Sequence, residues 1–159
     1  MREQIIRITI EYLKKDGLKF SIDSIAKELK ISKKTIYKIF KTKESLAISV
    51  YEKYFDSLIN KVVCLPKQCI SNYYEEMISL YFESMWMTRD DIFNKYQLNN
   101  AIYNYVKERN NEFWEFISSL FPNNLDVESL RLIVDGTFRE IIKEGRDIDS
   151  VISLLVKLL

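Results

Sequence analysis

An all-helical chain in two parts is predicted by three observations. Helix breakers are scarce, with three Gly and two Pro in 159 residues. Apolar residues recur at the three- and four-residue steps of an amphipathic helix along most of the chain. Residues 20–43 read as two short capped helices joined by a tight turn and followed by the start of a third. Apolar residues make up 47% of the chain, enough to bury a core in one two-part globule or in two small domains.

The first helix is expected over 2–15, with Ile5, Ile6, Thr9, Ile10 and Leu13 on one face and Gly17 as the residue that ends it. Ser21 is placed to cap 22–29, because its hydroxyl can accept from an amide left over in the first turn. Ile25, Ala26 and Leu29 make the apolar stripe of that helix. After a turn at 30–32, Ser32 caps 33–40, which buries Ile36, Ile39 and Phe40 and exposes Lys33, Lys34, Tyr37 and Lys38. Thr42 caps a longer helix over 43–63, in which Leu46, Val50, Tyr54, Leu58 and Val62 repeat every fourth residue. Pro66 marks its end.

The second part begins near Ser71 with the most regular helix of the chain. Tyr74, Met77, Ile78, Tyr81, Phe82, Met85 and Trp86 fall on one side, and Glu75, Glu76, Ser79 and Glu83 on the other. Thr88 and Asp91 resemble a capping box for the next segment. An apolar pattern then runs from Leu98 to Phe121, with a bend or interruption allowed at 110–112, and 122–126 is a loop. The next helix covers 127–144 and stops at Gly145. Asp147 or Asp149 caps a terminal helix in which Ile148, Val151, Ile152, Leu154, Leu155, Val156, Leu158 and Leu159 are apolar on several faces. Such a helix is too short to span a membrane and too apolar to stand in water, so its excess surface marks an interface.

Charge is divided between the two parts. Residues 1–60 hold 13 Lys/Arg against 8 Asp/Glu, and the remainder holds 11 against 15. Residues 30–43 carry six Lys and no acid. A helix, a short turn and a second helix with a basic, hydroxyl-rich outer face form a helix-turn-helix, and phosphate binding asks for that charge. Lysines on a short helix are also what any solvated face carries, and it is the three caps and the turn spacing that favour DNA. The chain contains no His, which excludes His-based triads and His-ligated metal sites, and Gly is too sparse for a phosphate-cradling loop. No enzyme, cofactor or metal is therefore expected. The N-terminus lacks an uninterrupted apolar signal region, so a cytoplasmic location is expected. Cys64 and Cys69 are either a reversible redox pair or plain residues.

Three blocks at matched spacing resemble the DNA-binding signature of the TetR family of bacterial regulators. They are Phe20, Ser21, Ile22, Asp23, Ser24, Ile25 and Ala26; the run from Ile31 through Phe40; and Thr42, Lys43, Glu44, Ser45 and Leu46. Lys30 stands where that family has Gly, so the turn there holds a left-handed or strained residue, or differs in shape. The resemblance implies an N-terminal three-helix helix-turn-helix domain over 1–45, a linking helix over 43–63, and a helical effector-binding and dimerisation domain over 46–159. It places DNA contacts at Ser21, Ser32, Lys33, Lys34, Thr35, Tyr37, Lys38 and Lys43, and it implies two copies on palindromic double-stranded DNA.

The aromatic side chains of the second part are read in two ways. A stripe of rings and methionines is the usual content of a core, yet there are more rings here than a small bundle needs. The resemblance implies a small apolar or aromatic effector among them, with Tyr74, Tyr81, Met85, Trp86, Tyr103 and Phe113 as its lining. It also implies a homodimer through the last two helices, at Ile133, Val134, Phe138, Ile141, Val151, Leu154, Leu155 and Leu158. The leading function is thus a dimeric repressor released from its operator by an effector. The alternatives are a regulator governed by a protein partner or by cysteine redox, and a helical protein whose basic head binds another acidic surface.

Overall fold

The computed structural model describes residues 1–67, 69–89, 100–145 and 147–157. The helices are α1 (Arg2–Asp16), α2 (Ile22–Glu28), α3 (Lys33–Phe40), α4 (Lys43–Val63), α5 (Ile70–Met87), α6 (Asn100–Ser118), α7 (Val127–Glu144) and α8 (Ile148–Val156), with a 3-10 turn at Gly17–Lys19. The described residues contain no strand, and the fold is all-α as expected. No helix among them is long and apolar enough to cross a membrane.

The local signals account for the helix ends. Gly17 closes α1 at φ 60°, its N–H bonded to the carbonyl of Leu13. Ser21, Ser32 and Thr42 each accept the amide three residues on, at 3.3, 3.1 and 3.0 Å. The Ser45 hydroxyl answers by accepting the Thr42 amide at 3.2 Å, a reciprocal cap that starts α4. Gly145 ends α7 in the left-handed conformation. Of the two candidate caps for α8, Asp147 takes the role, accepting from both the amide and the hydroxyl of Ser150.

Those bonds hold the Asp147 carboxyl below its ordinary value, the Ser150 hydroxyl being the larger cause. A carboxyl that is more acidic in the folded chain stabilises it above its unfolded value and loses that contribution as pH falls through the lower folded one. The chain Asp147→Ala should therefore melt below the unaltered protein at about pH 6, and the gap should close on acidification below about pH 4. Thermal scans at both pH values check this.

The chain divides into two compact units, Met1–Ser57 with Met87–Asn110, and Leu58–Trp86 with Asn111–Leu159. In the first, α1 packs on α2 and α2 on α3, around Ile5, Leu13, Phe20, Ile25 and Ile36. Leu46 and Val50 of α4 are also fully buried, and the Tyr51 hydroxyl donates to the Met87 carbonyl at 3.1 Å. Ile39, expected in the core, is half-buried.

In the second unit Met77, Ile78, Tyr81 and Phe82 of α5 are buried with Trp114 and Ile117 of α6, Val134 and Phe138 of α7, and Ile152 and Leu155 of α8. Phe82 meets Phe138 at 5.6 Å between ring centroids, and Tyr81 meets Trp114 at 4.8 Å. The helix is not interrupted at 110–112: α6 runs through these residues, with Asn110 buried. Trp86, at the end of the apolar stripe of α5, is 41% exposed. Asp91, Phe93, Tyr96, Leu98, Leu158 and Leu159 lie outside the described residues.

Candidate nucleic-acid interface

Of the outcomes left open by the Lys-for-Gly exchange, the turn between α2 and α3 takes the left-handed residue. Lys30 sits at φ 54°, and Ile31 returns its N–H to the Ala26 carbonyl at 2.9 Å. At the far end of α3, Lys41 has φ 63° and ψ −55°, and the Thr42 amide reaches the Phe40 carbonyl at 2.7 Å. That is a tight three-residue reversal, a strained conformation for any residue with a Cβ. It lets the cap of α4 follow α3 directly. Among the described residues, the non-glycine residues with positive φ are these two lysines, one at each end of the basic helix.

A left-handed side chain costs about 1–2 kcal/mol, whereas glycine costs roughly 0.5–1 kcal/mol more in chain entropy. Lys30→Gly should thus stabilise the protein by about 0.5–1 kcal/mol while removing a cation from the face. A higher melting temperature together with weaker binding to duplex DNA is the expected result.

On α3, Lys33, Lys34 and Lys38 are exposed and Tyr37 is 41% exposed, as their register predicts. Ile36 and Phe40 point the other way and are buried. Thr35 is half-buried, its hydroxyl 3.0 Å from that of Ser32. Ser21 and Ser32 both spend a lone pair on their caps. The Lys33 ammonium is ion-paired with Asp23 of α2 at 2.5 Å. Lys34 and Lys38 have no ion pair among the described residues, which leaves two ammonium groups one helical turn apart facing out.

Lys43 is turned differently. Its ammonium donates to the Leu18 carbonyl at 2.8 Å and lies 4.5 Å from the centre of the Phe20 ring. Burial lowers its pKa. In this position it ties the 3-10 turn to α4. Sequence reasoning passed over Arg2, whose guanidinium donates to Ser49 at 3.1 Å and lies 5.3 Å from the centre of the Phe40 ring. It locks the start of α1 to the end of α3.

The residues expected around an effector are distributed over both units. Tyr103 lies in the first unit, half-buried, with the Lys107 ammonium 5.4 Å from its ring centre. Tyr74, Tyr81, Met85, Trp86 and Phe113 lie in the second. There the rings of Tyr81, Trp114, Phe121 and Tyr74 follow one another at centroid distances of 4.8, 6.4 and 5.4 Å. The Tyr81 hydroxyl donates to Asp135 at 3.1 Å and is pushed well up, chiefly by burial. Arg131 pairs with Asp135 at 3.7 Å, donates to Asn111 and lies 5.8 Å from the centre of the Trp114 ring. This polar group was missed, because nothing in sequence spacing joins residues of α5, α6 and α7.

The expected dimer residues also separate. Val134, Phe138, Ile141 and Leu155 are buried within the chain itself, and Val151 is half-buried. Ile133 and Leu154 are 47% and 63% exposed. Leu132, not expected there, is 73% exposed and lines an open groove with Ile133, Gly136, Thr137 and Val151. Nothing lies within 4 Å of where a side chain on Gly136 would begin. Cys64 and Cys69 are unbridged and exposed at the ends of the α4–α5 connection. The described residues hold no cluster able to ligate a metal.

Residues 5–50 match the family described as bacterial regulatory proteins, tetR family. No curated protein matches the chain. Solved structures share its fold over nearly its whole length. A TetR transcriptional regulator from Legionella pneumophila is 16% identical, with a TM-score of 0.67 over 99% of this chain and 96% of that one. The fatty acid degradation regulator FadR from Bacillus halodurans is 16% identical, with a TM-score of 0.63 over 99% and 97%. FadR from Bacillus subtilis, solved in complex with stearoyl-CoA, is 19% identical, with a TM-score of 0.63 over the same shares. Residues 5–50 thus form a tetR-family DNA-binding segment, and the chain as a whole has the fold of the TetR-type transcriptional regulators.

Proposed function

We propose that the protein is a dimeric transcriptional repressor that binds a palindromic operator and leaves it when a small apolar effector enters the second part of the chain. The observation that carries this reading is α3. It is capped at its start, anchored by Ile36 and Phe40, and presents Lys34, Tyr37 and Lys38 outward within a segment that matches the tetR family. Residues 1–45 are the DNA-binding part, and 46–159 bind effector and partner copy.

Dimerisation is supported by the groove along α7. A mid-helix glycine costs about 1 kcal/mol against alanine, so Gly136 is expensive unless its bare backbone is used. Set beside the exposed Leu132 and Ile133, it offers a close approach to a second helix. The effector is supported by the file of rings from Tyr81 to Tyr74. The stearoyl-CoA bound by the Bacillus subtilis relative makes a long-chain acyl group the first class to try. α4 is one continuous helix from beside α3 to Leu58 and Val62, so it provides the covalent route between effector and DNA.

An effector acts on DNA affinity only through its different affinity for two states. The test measures melting and binding to duplex DNA with and without an acyl-CoA series. A ligand that raises the melting temperature and releases DNA supports the reading. One that stabilises the protein and leaves DNA affinity unchanged overturns the coupling.

A further inference from the structure

Asp23 is the acid of the helix-turn-helix that faces the basic helix, and its partner is Lys33, the first residue of α3. Of the six lysines between Lys30 and Lys43, Lys33 is the one with an ion pair among the described residues. Lys41 and Lys43 donate to carbonyls. A carboxylate on a surface meant for phosphates works against affinity, since it repels the backbone and takes one cation out of the count. Both side chains are largely exposed, so the pair itself adds little to folding.

We infer that Asp23 is a specificity-determining residue: it holds the Lys33 ammonium at the start of α3, where it reads base acceptors and adds little to sequence-independent phosphate binding. This rests on the DNA-binding reading above. The N-terminal residues of a recognition helix are those that meet base edges, and Lys33 is the first of them. An ammonium has three N–H donors, so one bond to Asp23 leaves two for acceptors such as the O6 and N7 of a guanine. A lysine already placed loses less rotamer freedom on meeting a base. In a sequence-independent complex, held by phosphates alone, the same carboxylate only subtracts. Asp23 thus widens the gap between the right and the wrong sequence by penalising the wrong one more.

Asp23 also lies in the first turn of α2, where any acid is favourable to the helix. The test must separate that role from this one. Wild type, Asp23→Asn, Lys33→Ala and the double variant are titrated onto a duplex selected from a random pool and onto its scrambled counterpart, over a salt series, with melting temperatures recorded.

Asp23→Asn should bind the scrambled duplex about three- to tenfold tighter per subunit at about 0.1 M salt, with a slope against salt steeper by about 0.9 per subunit. It should gain less on the selected duplex, so that discrimination falls, and in the Lys33→Ala background only a smaller gain from the lost repulsion should remain, equal on both duplexes. Asp23→Ser should repeat the pattern if the Asn variant folds poorly. Unchanged discrimination, or an equal gain with and without Lys33, overturns the inference and leaves the DNA-binding reading standing. A wild-type chain without salt-dependent binding to either duplex overturns both.

Discussion

Replacing Lys34 and Lys38 together by alanine should lower the affinity for duplex DNA on the order of a thousandfold at about 0.1 M salt. Each ammonium that neutralises a phosphate contributes about 0.9 to the slope of log affinity against log salt, so two lysines on each of two copies contribute roughly 3.6. The loss should shrink as salt rises and nearly vanish towards about 1 M, which a folding defect would not do. Both side chains are exposed and their neighbours Ile36 and Phe40 keep the helix anchored, so the melting temperature should be unchanged. Fluorescence anisotropy over a salt series, paired with thermal scans, gives both readings. The same loss at every salt concentration would show that these lysines do not act through phosphates.

The second large effect is expected at the exposed apolar side chains of the last two helices. Leu154→Lys exchanges a side chain that is 63% exposed in the single chain. If it is buried against a partner copy, each Leu contributes about 1.5–3 kcal/mol, and the twofold axis counts the substitution twice. The dimer should weaken by about 3–6 kcal/mol before any charge repulsion, or upwards of a hundredfold. Gly136→Leu tests the proposed interface at the groove of α7 from the opposite direction. It adds a good helix former where nothing lies within 4 Å, so the single chain should gain about 1 kcal/mol of helix preference. The added side chain would block close approach all the same. A chain that is more stable and also monomeric is therefore expected, and sedimentation velocity with thermal scans will show it. Phe138→Glu is no substitute for either variant, since Phe138 is buried against Phe82 and its loss would unfold the unit.

The sequence was most legible where chemistry is local. The caps at Ser21, Ser32 and Thr42 depend on residues three positions apart, and α3 displays its lysines because 3.6-residue periodicity fixes which side Ile36 takes. The left-handed Lys30 was one of the outcomes that the resemblance left open, since the family has glycine at that position and this chain has none. Direction over longer separations was not legible. A lysine at the start of a helix reads the same whether its ammonium meets water or, as with Lys43, a carbonyl 25 residues earlier. Periodicity also shows that α7 and α8 are apolar on several faces without showing which face their own chain uses. Hence Val134, Phe138, Ile141 and Leu155 turn inward, and Leu132 stands out. The Tyr81–Asp135–Arg131 group joins two helices across 54 residues, and no spacing rule announces it.

Whether two copies read one operator through paired α3 helices is decided by the stoichiometry and sequence of the DNA the protein selects. Duplexes are enriched from a random pool by the unaltered protein, sequenced, and titrated in the ultracentrifuge. The result expected is an inverted repeat, with half-sites about one helical turn or a multiple of it apart, that holds a dimer or pairs of dimers. Enrichment of no common sequence, or a single chain bound to each duplex, would rule out paired recognition helices.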